Sequence, residues 1–334
     1  MTVAYKVLDQ KDLGTSLETK EVFALDVLHG LSQTPKTISS KYFYDDKGSK
    51  YFQRITELEE YYLTRCEYEI LNTYKNVISD YMNTCEFNLI ELGAGDGKKT
   101  NILIEHFLQN NLRFNYVPID ISEAAMSWLT NSLKQKFPKL SMYGLVSEYF
   151  NAIKWLGKSS NKRNLVLFLG SNIGNFSKGN SKVFLRSLWN SLNDGDYVLI
   201  GFDLKKDINL LLNAYNDSEG ITKEFNINLL KRINQELKGN FDISKFQFFA
   251  NYNVSSGAIE SYLLSTEKQQ VLIEHIGQVF SFKAWEPIHT EYSYKYLQLD
   301  IESLANETGF LIENQFYDSK KYFTDSIWKV CKHA

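Results

Sequence analysis

Cysteine is scarce in this chain of 334 residues. Its three cysteines (Cys66, Cys85 and Cys331) are too few and odd in number for a disulfide scaffold, and they fit a reducing compartment. Strong charge is missing as well. The formal net charge is −3 and no basic run exceeds a pair, so a nucleic-acid footprint is not expected. No apolar stretch approaches the roughly 20 residues that span a bilayer. The opening Met1-Thr2-Val3-Ala4-Tyr5-Lys6 has no apolar signal core, so a cytoplasmic protein without a membrane partner is expected. There is no internal repeat and no low-complexity linker. The histidines His29, His106, His275, His289 and His333 are scattered and read as structural, with no His/Cys constellation to hold a metal. What the chain does have is 43% hydrophobic residues, enough to fill one large domain or two modest ones. It also has 21 Tyr and 22 Phe; many must be core, but a surplus of tyrosines in loops suits a small polar ligand.

The most telling run is Asn88-Leu89-Ile90-Glu91-Leu92-Gly93-Ala94-Gly95-Asp96-Gly97-Lys98-Lys99-Thr100. It reads as a buried strand, a glycine turn and a helix start. Gly93, Ala94, Gly95 and Gly97 leave almost no side-chain bulk, so a ligand can lie on bare backbone while the helix aims its free N–H groups at it. The dinucleotide fingerprint needs a third glycine where Lys98 stands. The loop therefore resembles the S-adenosylmethionine (SAM) loop of class I methyltransferases, with Glu91, Gly93 and Gly95 on the cofactor. One βα unit later, Asn115-Tyr116-Val117-Pro118-Ile119-Asp120 is a second apolar strand ending in an acid. An acid there faces the ribose of a bound nucleoside, and Asp120 can accept from both hydroxyls. Capping the helix that begins near Ser122 is the plainer task open to Asp120.

Alternation of apolar runs and helical patterns predicts strands at Phe87–Leu92, Phe114–Ile121, Ser141–Val146, Leu165–Gly170 and Tyr197–Phe202, with helices such as Thr100–Gln109 and Ala124–Gln135 between them. This is the signature of a parallel sheet with helices on both faces. The rhythm breaks after Phe202. Ile208–Ala214 and Thr222–Glu236 read as helices, Phe246–Leu264 as a strand pair, and Gly309–Glu313 and Ser326–Cys331 as closing strands. The expected organisation is an α/β class I SAM-dependent methyltransferase (Rossmann-like) sheet, residues 61–204 plus 294–334, with an inserted substrate-binding lid domain, residues 1–60 plus 205–293. The N-terminal 60 residues are expected to stay out of the βα series.

Further stretches resemble one family. These are Tyr44-Asp45-Asp46-Lys47-Gly48-Ser49, Glu60-Tyr61-Tyr62-Leu63-Thr64-Arg65, Leu169-Gly170-Ser171-Asn172-Ile173-Gly174-Asn175-Phe176, Ala214-Tyr215-Asn216-Asp217 and Thr290-Glu291-Tyr292-Ser293-Tyr294-Lys295-Tyr296. Together with the glycine loop they look like the histidine Nα-methyltransferases of ergothioneine biosynthesis, a family that also includes fungal enzymes acting on tryptophan derivatives. The resemblance runs from about residue 40 to the C-terminus. It implies SAM as cofactor, a free amino acid as substrate and trimethylation of the histidine α-amine to hercynine; a monomer is expected.

By this resemblance Gly170 and Asn175 stand beside the transferred methyl group. Tyr44 and Tyr215 fix the amino acid's backbone groups, and Tyr61 lines the side-chain pocket. Lys99 contacts the carboxylate region of SAM, and Glu148 with Tyr149 holds the adenine, where the family more often has Asp. Glu291 and Ser293, two apart on a strand and so on one face, can bond both imidazole nitrogens. Each residue type also has a plainer use. Asn175 suits a turn after Gly174, tyrosines pack in cores, and Thr290–Ser293 fits a solvent-facing strand. Ser261 stands where the histidine enzymes carry a methionine beside the pocket. The smaller residue keeps tryptophan, tyrosine or a derivative open as substrate. A non-catalytic SAM-binding regulator is a third reading. Methyl transfer to a deprotonated amine needs positioning more than a strong base, in keeping with the missing His/Cys constellation.

Overall fold

In the computed structural model, residues 5–8, 19–83, 86–156 and 162–332 are described. The chain divides into two units, one of residues 1–8, 62–205 and 294–334, the other of residues 9–61 and 206–293.

The first unit is built on a sheet whose central strands are apolar at nearly every position, as strands covered on both faces must be. Its strands, numbered along the whole chain, are β1 (Tyr5–Val7), β3 (Phe87–Leu92), β4 (Phe114–Asp120), β5 (Gly144–Val146), β6 (Arg163–Phe168), β7 (Tyr197–Asp203), β13 (Phe310–Tyr317) and β14 (Phe323–Val330). They lie in the order β1-β5-β4-β3-β6-β7-β14-β13. Neighbours are parallel from β1 to β7, and β14 runs antiparallel to both β7 and β13. Leu89, Leu165, Val166, Leu199, Ile200, Ile327 and Trp328 are fully buried in it. The unit's helices are α3 (Tyr62–Asp80), α4 (Thr100–Gln109), α5 (Glu123–Lys136), α6 (Tyr149–Leu156), α7 (Lys178–Ser191) and α10 (Gln298–Thr308). Side-chain caps start two of them: Ser122 accepts from the Ala125 N–H at 3.2 Å and Ser177 from the Asn180 N–H at 3.3 Å.

Two strands end earlier than their apolar runs predict. β6 stops at Phe168 because Gly170 takes a left-handed backbone, φ +74°, which no strand continues. β4 stops at Asp120, whose carboxylate turns the chain by accepting from the Ser122 N–H at 2.9 Å. One expectation is overturned. The N-terminal segment does not stay wholly outside the series, since Tyr5–Val7 pairs in parallel with Gly144–Val146 at the sheet edge. The open edge of β5 offers unpaired N–H and C=O groups to any extended segment that reaches it.

Strand order reverses between β3 and β6, which are neighbours. The chain goes from β3 to β4 and β5 on one side, then returns to β6 and β7 on the other. A crevice opens at such a reversal, outside the carboxyl ends of the strands. Gly93 follows β3 and Gly170 follows β6, so both turns flank it.

The second unit contains α1 (Thr19–Ser32), α2 (Asp46–Glu57), α8 (Ile208–Asn213) and α9 (Ile221–Leu237). Its strands are β2 (Lys36–Thr37), β8 (Phe246–Asn253), β9 (Ala258–Ser265), β10 (Gln269–Ile273), β11 (Gln278–Phe282) and β12 (Glu286–Tyr294). One sheet has the order β2-β12-β9-β8, and β10 and β11 form a separate hairpin. Asp45 caps α2 by accepting from the Gly48 N–H at 2.6 Å, and the same oxygen accepts from the Asn228 amide of α9 at 2.9 Å. No helix among the described residues is long and apolar enough to cross a membrane. Cys66 and Cys331 are not in disulfides, while Cys85 and His333 lie outside the described residues.

Candidate active site

The glycine loop is knitted to the tip of β4. The N–H groups of Gly93 and Ala94 donate to the Ile119 carbonyl at 2.8 and 3.1 Å, and the Gly95 N–H donates to the Asp120 carboxylate at 2.8 Å. Gly93 has φ +76°, and a Cβ there would lie 2.6 Å from the Tyr149 hydroxyl, so only glycine fits. A Cβ on Gly95 would meet nothing within 4 Å, so the loop presents open space on that side.

Asp120 performs both tasks that its position allows within the protein. One oxygen holds the Gly95 N–H and the other holds the Ser122 N–H, while Ser122 caps α5 itself. Burial pushes the Asp120 carboxyl up, and the backbone hydrogen bonds from Ser122 and Gly95 oppose that rise. Each oxygen keeps a lone pair for a further donor. Glu91 is turned inward: it accepts from Thr100 Oγ1 at 2.5 Å and from the Tyr116 hydroxyl. Burial raises it to about 7 against the lowering effect of those two bonds. Its carboxyl group braces the first residue of α4 beneath the loop. Tyr149 opens α6 directly after the half-buried Glu148, and its ring packs edge-on against Phe168 and Phe184 at 5.4 and 6.1 Å. Burial, aided by the Asp120 charge, holds its phenol protonated.

The Lys99 ammonium makes a 2.5 Å ion pair with Glu67 of α3. It lies 3.1 Å from where a Cβ of Gly170 would stand, so Lys99 and Gly170 share one corner of the crevice. Asn175 ends a short turn, Asn172–Asn175, and Ser171 just before it has φ +57°. The turn is wedged tightly. A Cβ on Gly174 would come within 2.9 Å of the Tyr294 carbonyl, and the Tyr296 hydroxyl donates to the Ile173 carbonyl at 3.3 Å. Below it, a fully buried ion pair joins Lys295 and Asp203 at 2.7 Å, and the Tyr62 hydroxyl donates to Asp203 at 2.8 Å. The Glu91, Gly93, Gly95, Lys99, Asp120, Glu148, Tyr149, Gly170 and Asn175 positions all belong to the first unit.

The second unit gathers the remaining candidates. Tyr44, Phe52, Phe225, Tyr61 and Tyr215 form a chain of rings: Tyr44 meets Phe52 at 5.6 Å and Phe225 at 5.7 Å, Phe52 meets Tyr61 at 6.3 Å, and Tyr61 meets Tyr215 at 6.1 Å. Polar contacts tie down the chain next to Tyr61 and Tyr215. Ser218 Oγ donates to Glu60 at 2.6 Å, and Asp217 accepts from the N–H groups of Ile221 and Thr222 at the start of α9. Burial works against ionisation of Asp217, but hydrogen bonds from Thr222 and the backbone outweigh it and keep the carboxyl below the usual range. Tyr215 and Ser293 share a 2.6 Å hydrogen bond. Glu291 is half-buried on the same strand, β12. Ser261 is 1% exposed, and its carbonyl accepts from Thr290 Oγ1 at 3.0 Å. His289, beside Tyr292 at 4.0 Å, is lowered to about 4 by burial and stays neutral.

Sequence reasoning did not single out Glu67, Asp203 or Asn172. Glu67 had a legible signal: it stands on the apolar stripe Leu63, Glu67, Ile70, Leu71 of α3, where an acid has no business unless it is paired. Asn172, whose amide lies 3.1 Å from a Cβ position on Gly93, sits in a motif that drew notice only for Gly170 and Asn175.

A carboxylate at the tip of the second strand, backbone N–H groups in a bare loop and a cation beside the fourth strand suit a nucleoside carrying an amino-acid tail. Joined to a mostly parallel sheet closed by an antiparallel strand, they define a class I SAM-dependent methyltransferase. The model of the histidine-specific, SAM-dependent methyltransferase family matches residues 23–330, and the chain belongs to that family. The histidine N-alpha-methyltransferase of Mycobacterium tuberculosis is 34% identical over 272 residues, covering 81% of this chain and 83% of that protein. The histidine N-alpha-methyltransferase of Mycolicibacterium smegmatis is 33% identical, covering 86% and 89%. The L-tryptophan methyltransferase of Psilocybe serbica is 26% identical, covering 95% and 96%.

Proposed function

We propose that this enzyme transfers methyl groups from SAM to the α-amine of L-histidine, giving N,N,N-trimethylhistidine (hercynine), as a cytoplasmic protein that acts on the free amino acid. The reading is carried by the 2.6 Å hydrogen bond between Tyr215 and Ser293, which joins a phenol of the aromatic cluster to the strand that bears Glu291. Family membership and the two mycobacterial relatives support the same substrate. SAM supplies a methyl group already activated on its sulfonium. The chain's own work is to bind and orient. Asp120 and the loop N–H groups hold the nucleoside, Glu148 and Tyr149 the adenine, and Lys99 the carboxylate. Tyr44, Tyr215 and Asn175 hold the amine and carboxylate of the acceptor with neutral groups, so the lone pair is not tied up by a buried anion. Tyr61, Gly170, Glu291 and Ser293 line the acceptor's place. Neutral positioning of this kind supplies most of what an in-line transfer needs.

A second reading, methylation of tryptophan or another aromatic amino acid, is favoured by Ser261 and by the tryptophan methyltransferase relative. One experiment separates the two. Purified protein with SAM is offered each of the twenty amino acids and the products are weighed by mass spectrometry. Histidine should be the preferred acceptor and should go to its trimethylated form. Faster turnover of tryptophan, tyrosine or phenylalanine overturns the histidine assignment.

A further inference from the structure

One buried group of the first unit has no part in the scheme above. Glu67 is 0% exposed, in the middle of the apolar face of α3. Its two oxygens are divided between the two residues that share one corner of the crevice. One takes the Lys99 ammonium at 2.5 Å and the other accepts from the Gly170 N–H at 2.7 Å. The carboxylate lies on bare strand. A Cβ on Gly201 would come within 2.5 Å of it, so a larger residue on β7 would push it away. Directly across the ladder from Gly201 is Asp325.

We propose that Glu67 is a positioning residue of the methyl-transfer site, one carboxylate that fixes the Lys99 ammonium and the Gly170 turn relative to each other. This rests on the assignment of Lys99 to the cofactor's carboxylate. A single anion in so dry a place is tolerable only with full hydrogen bonding. Lys99 and Gly170 supply two donors. Asp325, fully buried across the ladder, does not add a second full charge beside that anion: burial, together with the Glu67 charge, pushes its carboxyl well above the ordinary range. Burial alone would lower the Lys99 ammonium, but the charge and hydrogen bond of Glu67 outweigh this and raise it. The other groups facing Lys99 are Glu91 from β3, Asp325 from β14 and Tyr68 from α3. None of them makes a hydrogen bond to it, so its charge depends on Glu67 above all.

The test is the affinity for S-adenosylhomocysteine, read by titration calorimetry at pH 7.5 and 9.5. Glu67→Gln keeps the shape and an acceptor for Gly170 but removes the charge. The ratio of its Kd to the wild-type Kd should grow at least tenfold between the two pH values, because a half-buried Lys99 without its carboxylate partner loses its proton there; the ligand's own titration cancels in the ratio. A merely structural role would give a ratio independent of pH, and that result overturns the proposal. Lys99→Met should weaken binding at least tenfold at pH 7.5. If it does not, the cofactor assignment of Lys99 fails, and the Glu67 proposal with it. If Glu67→Gln does not fold, NMR of the lysine-labelled wild type decides: Lys99 should titrate above ordinary lysines, and titration at or below them overturns the proposal.

Discussion

Replacing Asp120 with Ala should weaken S-adenosylhomocysteine binding and loosen the empty protein at the same time. The carboxylate holds two backbone N–H groups, Gly95 at 2.8 Å and Ser122 at 2.9 Å, and in the proposed complex it accepts from two ribose hydroxyls. A hydrogen bond to a charged group contributes about 1.5–3 kcal/mol, and losing a neutral partner at a half-exposed place costs less because water substitutes. The ribose bonds together should therefore be worth about 1–3 kcal/mol, which is roughly 5- to 150-fold in Kd. The loop N–H groups should cost a further ~1–2 kcal/mol of folding stability, or about 1–3 °C in Tm for a chain of this length. Titration calorimetry gives the first figure and scanning calorimetry of the empty protein the second; NAD should not bind at all. Protonation works in the same direction. Burial holds the Asp120 pKa above the usual carboxylate range, and only the ionised group accepts from both hydroxyls. Wild-type affinity should thus fall as pH is lowered through that raised pKa, and the Ala variant should lack this limb. Wild-type affinity together with an unchanged Tm in Asp120→Ala would refute both the ribose contact and the bracing of the loop.

Glu91, raised to about 7 in the folded protein from 4.5, retains a proton that the unfolded chain has lost, so its contribution is fully present below about 4.5 and is lost as pH rises to about 7. Glu91→Gln should therefore gain in Tm relative to wild type between those values and stay level above them; a pH-independent difference by scanning calorimetry would count against this. Tyr215→Phe and Ser293→Ala both break one shared hydrogen bond, so the double variant should lose about 0.5–1.5 kcal/mol less than the sum of the singles in kcat/KM for histidine, and strict additivity would mean that the bond carries nothing. Lys295→Met leaves Asp203 buried without its cation and should cost about 3–5 kcal/mol in denaturant unfolding; a loss below ~1 kcal/mol would show that the Tyr62 hydroxyl alone suffices.

Elements whose own residues carry the pattern were legible. The helix Thr100–Gln109 and the strand Phe87–Leu92 have the predicted bounds because a glycine loop separates an apolar run from a helical period. The hairpin Gln269–Phe282 was missed, although Val271 with Ile273 and Phe280 with Phe282 alternate around Gly277 as a half-buried hairpin should. The strand Tyr5–Val7 had no comparable signal. A three-residue edge strand is defined by the partner that pairs with it, here Gly144–Val146, and not by its own side chains.

The sequence by itself determined the class of this protein. Local order suffices for that: glycines where backbone must lie bare, an acid at the end of the second apolar strand, and a series of short motifs in the order of one family. Tertiary structure alone decided how the charges are arranged. Glu67, Lys99, Gly170 and Asp325 meet in one dry corner although 258 positions separate the first from the last. Asp203 with Lys295, and Tyr215 with Ser293, are likewise joined from different elements, 92 and 78 positions apart. Periodicity says which face of an element is buried, but not which polar group on another element it will meet there. A buried charge is tolerable only where its partner stands, and the packing of the elements sets that place.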